Sequence, residues 1–173
     1  MTLREGNVVW TFEDGFKAGK YDRWAFYRRR FQRTGGGGTL AVDFVAIPPS
    51  GDTLWLVEAK DYTLEPRDKQ KEPLPIEVAR KARDTLAGLA ACASNGADEE
   101  QAFAQRALRT GKIRIVLHLE QPANRTRLCP SVLVRADVQQ KLRQVAKAID
   151  PHPQVVDAAS PGNVPWKVAW SPP

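Results

Sequence analysis

Two apolar runs dominate the pattern of this chain, TLAVDFVAI over residues 39–47 and TLWLVEAKDY over residues 53–62. Both are rich in Val, Leu, Ile, Phe and Trp, and Pro48, Pro49, Ser50, Gly51 and Asp52 separate them. That is strand, turn, strand chemistry, and it predicts an antiparallel hairpin. With a loop of Pro49 to Asp52, Pro48 lies opposite Thr53, and counting back along both strands sets Asp43 opposite Glu58. Opposed residues share a face with Cβ atoms about 5 Å apart. Lys60, two residues further on, projects from the same side because side chains alternate along a strand. Charges inside such apolar segments are costly unless they are paired or serve a purpose.

Elsewhere the spacing is mostly helical. NVVWTF near the start reads as a short edge strand. YDRWAFYRRRFQR sets Trp24, Tyr27 and Phe31 at helical spacing, with Arg29, Arg30 and Arg33 elsewhere on the wheel. These arginines make either a phosphate-binding face or a merely solvated one. Gly35 to Gly38 end that helix. A phosphate-cradling nest is conceivable there, but no Lys-Ser or Lys-Thr pair follows, which excludes a nucleotide P-loop. Residues 61–76, charged and with three prolines, read as a long exposed loop that could grip substrate. EVARKARDTLAGLAACAS then places Val78, Ala82, Leu86 and Leu89 on one stripe of an amphipathic helix, with Arg80, Lys81 and Asp84 off it. A helical run over 98–110 precedes KIRIVLHLEQ, a buried strand expected to pair with the 53–62 strand through a right-handed crossover. His118 on this strand reads as a core residue, having no partner motif. A last helix over 137–149 turns Val138, Leu142, Val145 and Ile149 inward and Lys141, Arg143 and Lys147 outward. QVVDA follows as a short strand, and the tail from about 160 to 173, with two Trp, wraps the core by burying their rings. The sum is an α/β fold: a mixed sheet whose central hairpin is flanked by helices on both faces.

Composition narrows the class. At 173 residues the chain fits one domain over 1–173 with a core that needs no staples. Its 42% hydrophobic and 27% charged residues exclude an intrinsically disordered chain. No apolar run approaches a membrane span, and the start lacks a secretory signal, so the expected compartment is the cytoplasm with no membrane partner. Cys92 and Cys129 lie outside any C-x-x-C or Cys/His zinc pattern and read as reduced structural thiols. The net charge of +6 favours an anionic partner such as nucleic acid.

Two opposed carboxylates repel each other unless a cation sits between them, and hard oxygen ligands suit Mg²⁺ or Mn²⁺. A lysine beside the ion could orient or deprotonate a water, or stabilise charge building on a phosphate. The pattern D-x14-E-x-K on a hairpin, followed by a charged loop and a helix, resembles the PD-(D/E)xK nuclease superfamily over roughly residues 20–120. The resemblance implies a restriction-endonuclease-like fold and divalent-metal-dependent hydrolysis of phosphodiester bonds in DNA or RNA. It makes Asp43 and Glu58 the metal ligands and Lys60 the assistant of the attacking water. Val42 stands where the family name has Pro. The resemblance also implies a further upstream acid, for which Glu13, Asp14 and Asp22 are open candidates. It implies a polar or basic contribution from the following helix, making Arg80 and Lys81 candidates beside Arg29, Arg30 and Arg33 for nucleic-acid binding. A homodimer stays open. A bare E-x-K arises by chance in roughly every other chain of this length, and the plain alternative is a surface ion pair of Glu58 with Lys60. The rival function is a catalytically silent member of the same fold that binds nucleic acid or a protein.

Overall fold

The computed structural model describes residues 1–63, 72–122 and 133–171. In chain order its strands are β1 (Thr2–Glu5), β2 (Val8–Thr11), β3 (Lys17–Gly19), β4 (Phe44–Ile47), β5 (Thr53–Asp61), β6 (Lys112–Glu120), β7 (Gln154–Val156) and β8 (Lys167–Trp170). Among the described residues three α-helices accompany them: α1 (Leu74–Asn95), α2 (Asp98–Ala107) and α3 (Arg135–Ala146).

A five-stranded sheet in the order β3-β4-β5-β6-β7 forms the centre. The β3-β4 and β4-β5 pairs are antiparallel, and β5-β6 and β6-β7 are parallel, so the sheet is mixed. Parallel neighbours need long crossovers. Between β5 and β6 the crossover carries α1 and α2, and between β6 and β7 it carries α3. The hairpin has the expected register, Phe44 opposite Val57 and Ala46 opposite Trp55. Its turn closes with the Gly51 amide donating to the Pro48 carbonyl at 2.9 Å. Gly51 takes φ +71°, a conformation that glycine adopts without steric cost.

Alternation along β4 and β5 divides the core in two. Val45, Ile47, Leu54 and Leu56 face one side, where they pack with Val78, Ala82 and Leu89 of α1 and Leu142 of α3. Phe44, Ala46, Trp55 and Val57 face the other, where Val8, Trp10, Phe12 and Trp166 cover them. The second layer is therefore not helical, which corrects the expectation of helices on both faces. It is a small antiparallel sheet in the order β1-β2-β8, joining the two ends of the chain. NVVWTF supplies its central strand rather than an edge. Trp166 does bury its ring, 5.2 Å from Trp55 and nearly perpendicular to it, whereas Trp170 stays 40% exposed.

The aromatic segment after β3 is a 3-10 turn over Tyr21–Arg23 followed by a π-helical turn over Tyr27–Phe31, not the regular helix its spacing suggests. The stretch expected as a loop over 61–76 is entered by β5 and left by α1 at Leu74. Residues 64–71 within it, and Cys129, lie outside the described residues. No helix among the described residues is long and apolar enough to cross a membrane.

Candidate functional site

Asp43 ends the segment leading into β4 and, by the hairpin register, stands opposite Glu58 on β5. The two strands are tied there by the Ala59 amide, which donates to Asp43 Oδ2 at 2.6 Å. Glu58 is fully buried on the helix-covered face of the sheet. A lone carboxylate so placed would be prohibitively desolvated, and it is held by two ammonium groups. Lys60 Nζ lies 2.8 Å from Glu58 Oε1, and Lys81 Nζ of α1 donates to the same oxygen at 2.5 Å. Lys60 is shared with Glu77 of α1 at 2.9 Å. Glu58 Oε2 has no hydrogen-bond partner among the described residues.

These neighbours set the protonation states. Burial pushes the Asp43 carboxyl up to about 7, and the Glu58 charge adds to it against the Ala59 amide and Lys81. Burial alone would lower Lys60. The charge and hydrogen bond of Glu58, with those of Glu77, outweigh it and hold this ammonium above its ordinary range. At neutral pH, then, the Lys60 ammonium stays charged beside an aspartate poised between its two forms.

The helix α1 is anchored over the segment that presents Asp43. Leu40 N–H donates to Asp84 Oδ2 at 3.0 Å and Val42 N–H to Thr85 Oγ1 at 3.1 Å. Lys81 and Asp84 thus flank the apolar stripe and turn inward. Arg80 turns away and pairs with Glu72 at 3.1 Å on the surface. Glu77 is the cluster member that the sequence reading missed. Its signal was its place four residues before Lys81, which puts both on one side of the helix.

Among the upstream acids, Glu13 and Asp14 are exposed. Asp22 is partly buried, and the Tyr21 amide donates to the Asp43 carbonyl at 3.1 Å, which brings its neighbourhood to the cluster. Burial and then Glu5 raise the Asp22 carboxyl, opposed by Lys20, Arg23 and Lys81. No group of three or more His, Cys, Asp or Glu side chains among the described residues could by itself hold a metal ion.

Arg29, Arg30 and Arg33 are exposed on and just after the π-helical turn, with Arg28 beside them. Arg30 also donates to the Asn95 carbonyl at 2.9 Å, which steadies that turn against the end of α1. Gly35, Gly36 and Gly38 all take positive φ, and open space surrounds the first two. His118 is fully buried, its Nε2 2.8 Å from Glu120 Oε1 and its ring edge-on to Trp10, as a core histidine would be.

No family model matches the chain, and no solved structure matches it at a significant level. A cysteine–tRNA ligase of Neisseria meningitidis is 34% identical to it over 159 residues, an alignment that takes in 75% of this chain. The chain spans only about a fifth of that relative's length, 22%. The similarity corrects the expectation of a divalent-metal-dependent nuclease, and with it the hydrolase assignment: the relative is a ligase. An E-x-K on a strand facing an Asp is charge geometry, and charge geometry does not by itself name a reaction.

Proposed function

We propose that this chain is an RNA-binding module, related to one segment of a tRNA ligase, that holds the phosphate backbone with its exposed arginines. The observation that carries the proposal is the similarity of three-quarters of the chain to a minor part of a tRNA ligase. That relative is named for its action on tRNA, and this supports reading the shared segment as one that handles RNA or supports one that does. The net charge of +6 and the exposed arginines at 28, 29, 30 and 33 supply the electrostatic footprint such a partner needs. Titration of the protein with a tRNA transcript and with duplex DNA of equal length tests it. The proposal expects tRNA to bind more tightly at the same ionic strength. Equal affinity for both, or none for tRNA, counts against it.

The Asp43–Glu58 pair is, in this proposal, a site for a divalent cation, Mg²⁺ or Mn²⁺, with a binding or structural role. Its oxygen donors suit a hard ion, and the buried Glu58 Oε2, without a hydrogen-bond partner among the described residues, is free to face one. Mg²⁺ keeps several waters when only one or two carboxylates hold it, so a third acid is not required. Asp43 and Glu58 would hold the ion, and Lys60 and Lys81 would balance the remaining charge on Glu58. The hairpin register and the parallel β5-β6 pair also support reading the sheet as restriction-endonuclease-like, as a statement of fold alone.

A further inference from the structure

A cavity of about 700 Å³ opens between the edge strand β3 and α2, at the margin of both core clusters, and none of the Asp43 cluster lines it. Phe16, Trp24 and Phe103 line it together with the exposed Lys17 and Arg106. Its volume is that of a small-molecule site.

Three features give this cleft its chemistry. The first is a set of half-buried rings already held in place by others. Trp24 meets Phe103 edge to face at 5.3 Å and lies 5.1 Å from Tyr21, while Phe16 rests 5.5 Å from Phe12. A flat π-system entering the cleft would find ring surface without ordering any side chain first. The second is backbone: all three residues of β3 line the cavity, and β3 has a strand neighbour on one side only. An edge strand presents unpaired N–H and C=O groups, which match the donor and acceptor edge of a nucleobase. The third is charge. Lys17 and Arg106 are exposed and form no ion pair among the described residues. Two acids also line the cleft: Glu100 is engaged, accepting from the Ala25 amide at 2.7 Å and the Phe26 amide at 2.9 Å, and Glu99 is exposed, so the two cations meet one solvated carboxylate.

We infer that this cleft binds a nucleotide, its base against Trp24 and Phe103 and its phosphate at Lys17 and Arg106. This inference rests on the RNA-binding reading for its biological source, because the same chemistry is offered by an unpaired RNA residue and by a free mononucleotide. Stacking of a base on an aromatic ring survives differences in base identity, so the cleft tolerates any base.

Titrations with adenosine monophosphate, followed through the Trp24 indole and the amides of Ala18, Gly19 and Phe103 by NMR, test the cleft. Saturable shifts at these groups are expected. Arg106→Gln and Lys17→Gln, both surface changes, should weaken binding severalfold with the remaining spectrum unchanged. Trp24→Leu should weaken it roughly tenfold. A single-stranded RNA that binds more tightly than the mononucleotide, and loses the cleft shifts when annealed to its complement, identifies the source as RNA. Equal affinity for both identifies it as a free nucleotide. Absence of shifts at the cleft with both ligands overturns the inference, even where tRNA still binds through the arginine face. Cleft binding without any tRNA affinity would instead overturn the RNA-binding reading alone.

Discussion

Lys81 of α1 donates to Glu58 of β5 at 2.5 Å, so a helix is fastened to the centre of the sheet by an ion pair whose acid is wholly buried. Removing one partner of such a pair strands the other charge. Lys81→Met should therefore lower unfolding stability by about 2–3 kcal/mol, part of the loss being offset by Lys60, which stays on the same oxygen. Arg80→Met, one residue earlier, breaks only the surface pair with Glu72 and should cost under about 1 kcal/mol. Urea unfolding of the two variants in parallel reads the contrast.

Gly88 of α1 leaves the room that Tyr21 and Phe31 fill. A Cβ at this position would stand 2.0 Å from Tyr21 Oη and 3.0 Å from the Phe31 ring. Gly→Ala in a helix interior ordinarily stabilises by up to about 1 kcal/mol. Here the sign should reverse, with Gly88→Ala destabilising by about 1–3 kcal/mol through overpacking. A midpoint of denaturation that rises instead would show that the aromatic turn does not seat against α1.

Asp43 sets a pH dependence whose direction follows from its raised carboxyl. Its folded pKa of about 7 lies above the unfolded value of about 3.9. Between them the folded chain binds more protons than the unfolded one, so this group's contribution is complete at low pH and is lost as the pH rises through 7. In the presence of a chelator, wild-type stability relative to Asp43→Asn should therefore fall from about pH 4 to pH 7 and level off above it. Parallel denaturation curves across that window give the difference directly. A difference that grows with pH would contradict the assignment.

Cation binding should appear as stabilisation, because an ion that binds the folded form only shifts the folding equilibrium by mass action. Melting with Mn²⁺ should raise the midpoint of wild type, and Asp43→Asn and Glu58→Gln should each lose most of that rise. An identical response in all three would move the ion elsewhere.

The hairpin was legible because its turn residues fix the register, and the register brings Asp43 to Glu58 without any knowledge of the rest. Lys81 was legible as a neighbour only through the resemblance, and Glu77 only through its place four residues before Lys81, a weak signal because an acid beside an apolar stripe reads as solvated. The covering of the second sheet face could not be read locally. It depends on pairing Val9 with Ala169, across nearly the whole chain, and no window of hydrophobic periodicity contains both partners. The π-helical turn escaped for a related reason: its aromatic spacing fits an ordinary helix, and the distortion reflects where Tyr21, Tyr27 and Phe31 must pack. Activity was the least legible property of all. Three charged residues specify an electrostatic arrangement, and such an arrangement does not by itself name a reaction.

The most direct test of the RNA-binding account is the salt dependence of tRNA affinity in wild type and in a variant with Arg28, Arg29 and Arg33 replaced by Gln. Each phosphate contact releases condensed counterions, so the slope of log affinity against log salt should flatten by roughly 0.7 to 0.9 for each arginine that touches the backbone. The account predicts a tRNA complex that weakens steeply with salt in wild type, and a variant, folded by circular dichroism, that binds more weakly with a shallower slope. A variant with unchanged affinity and slope would contradict it.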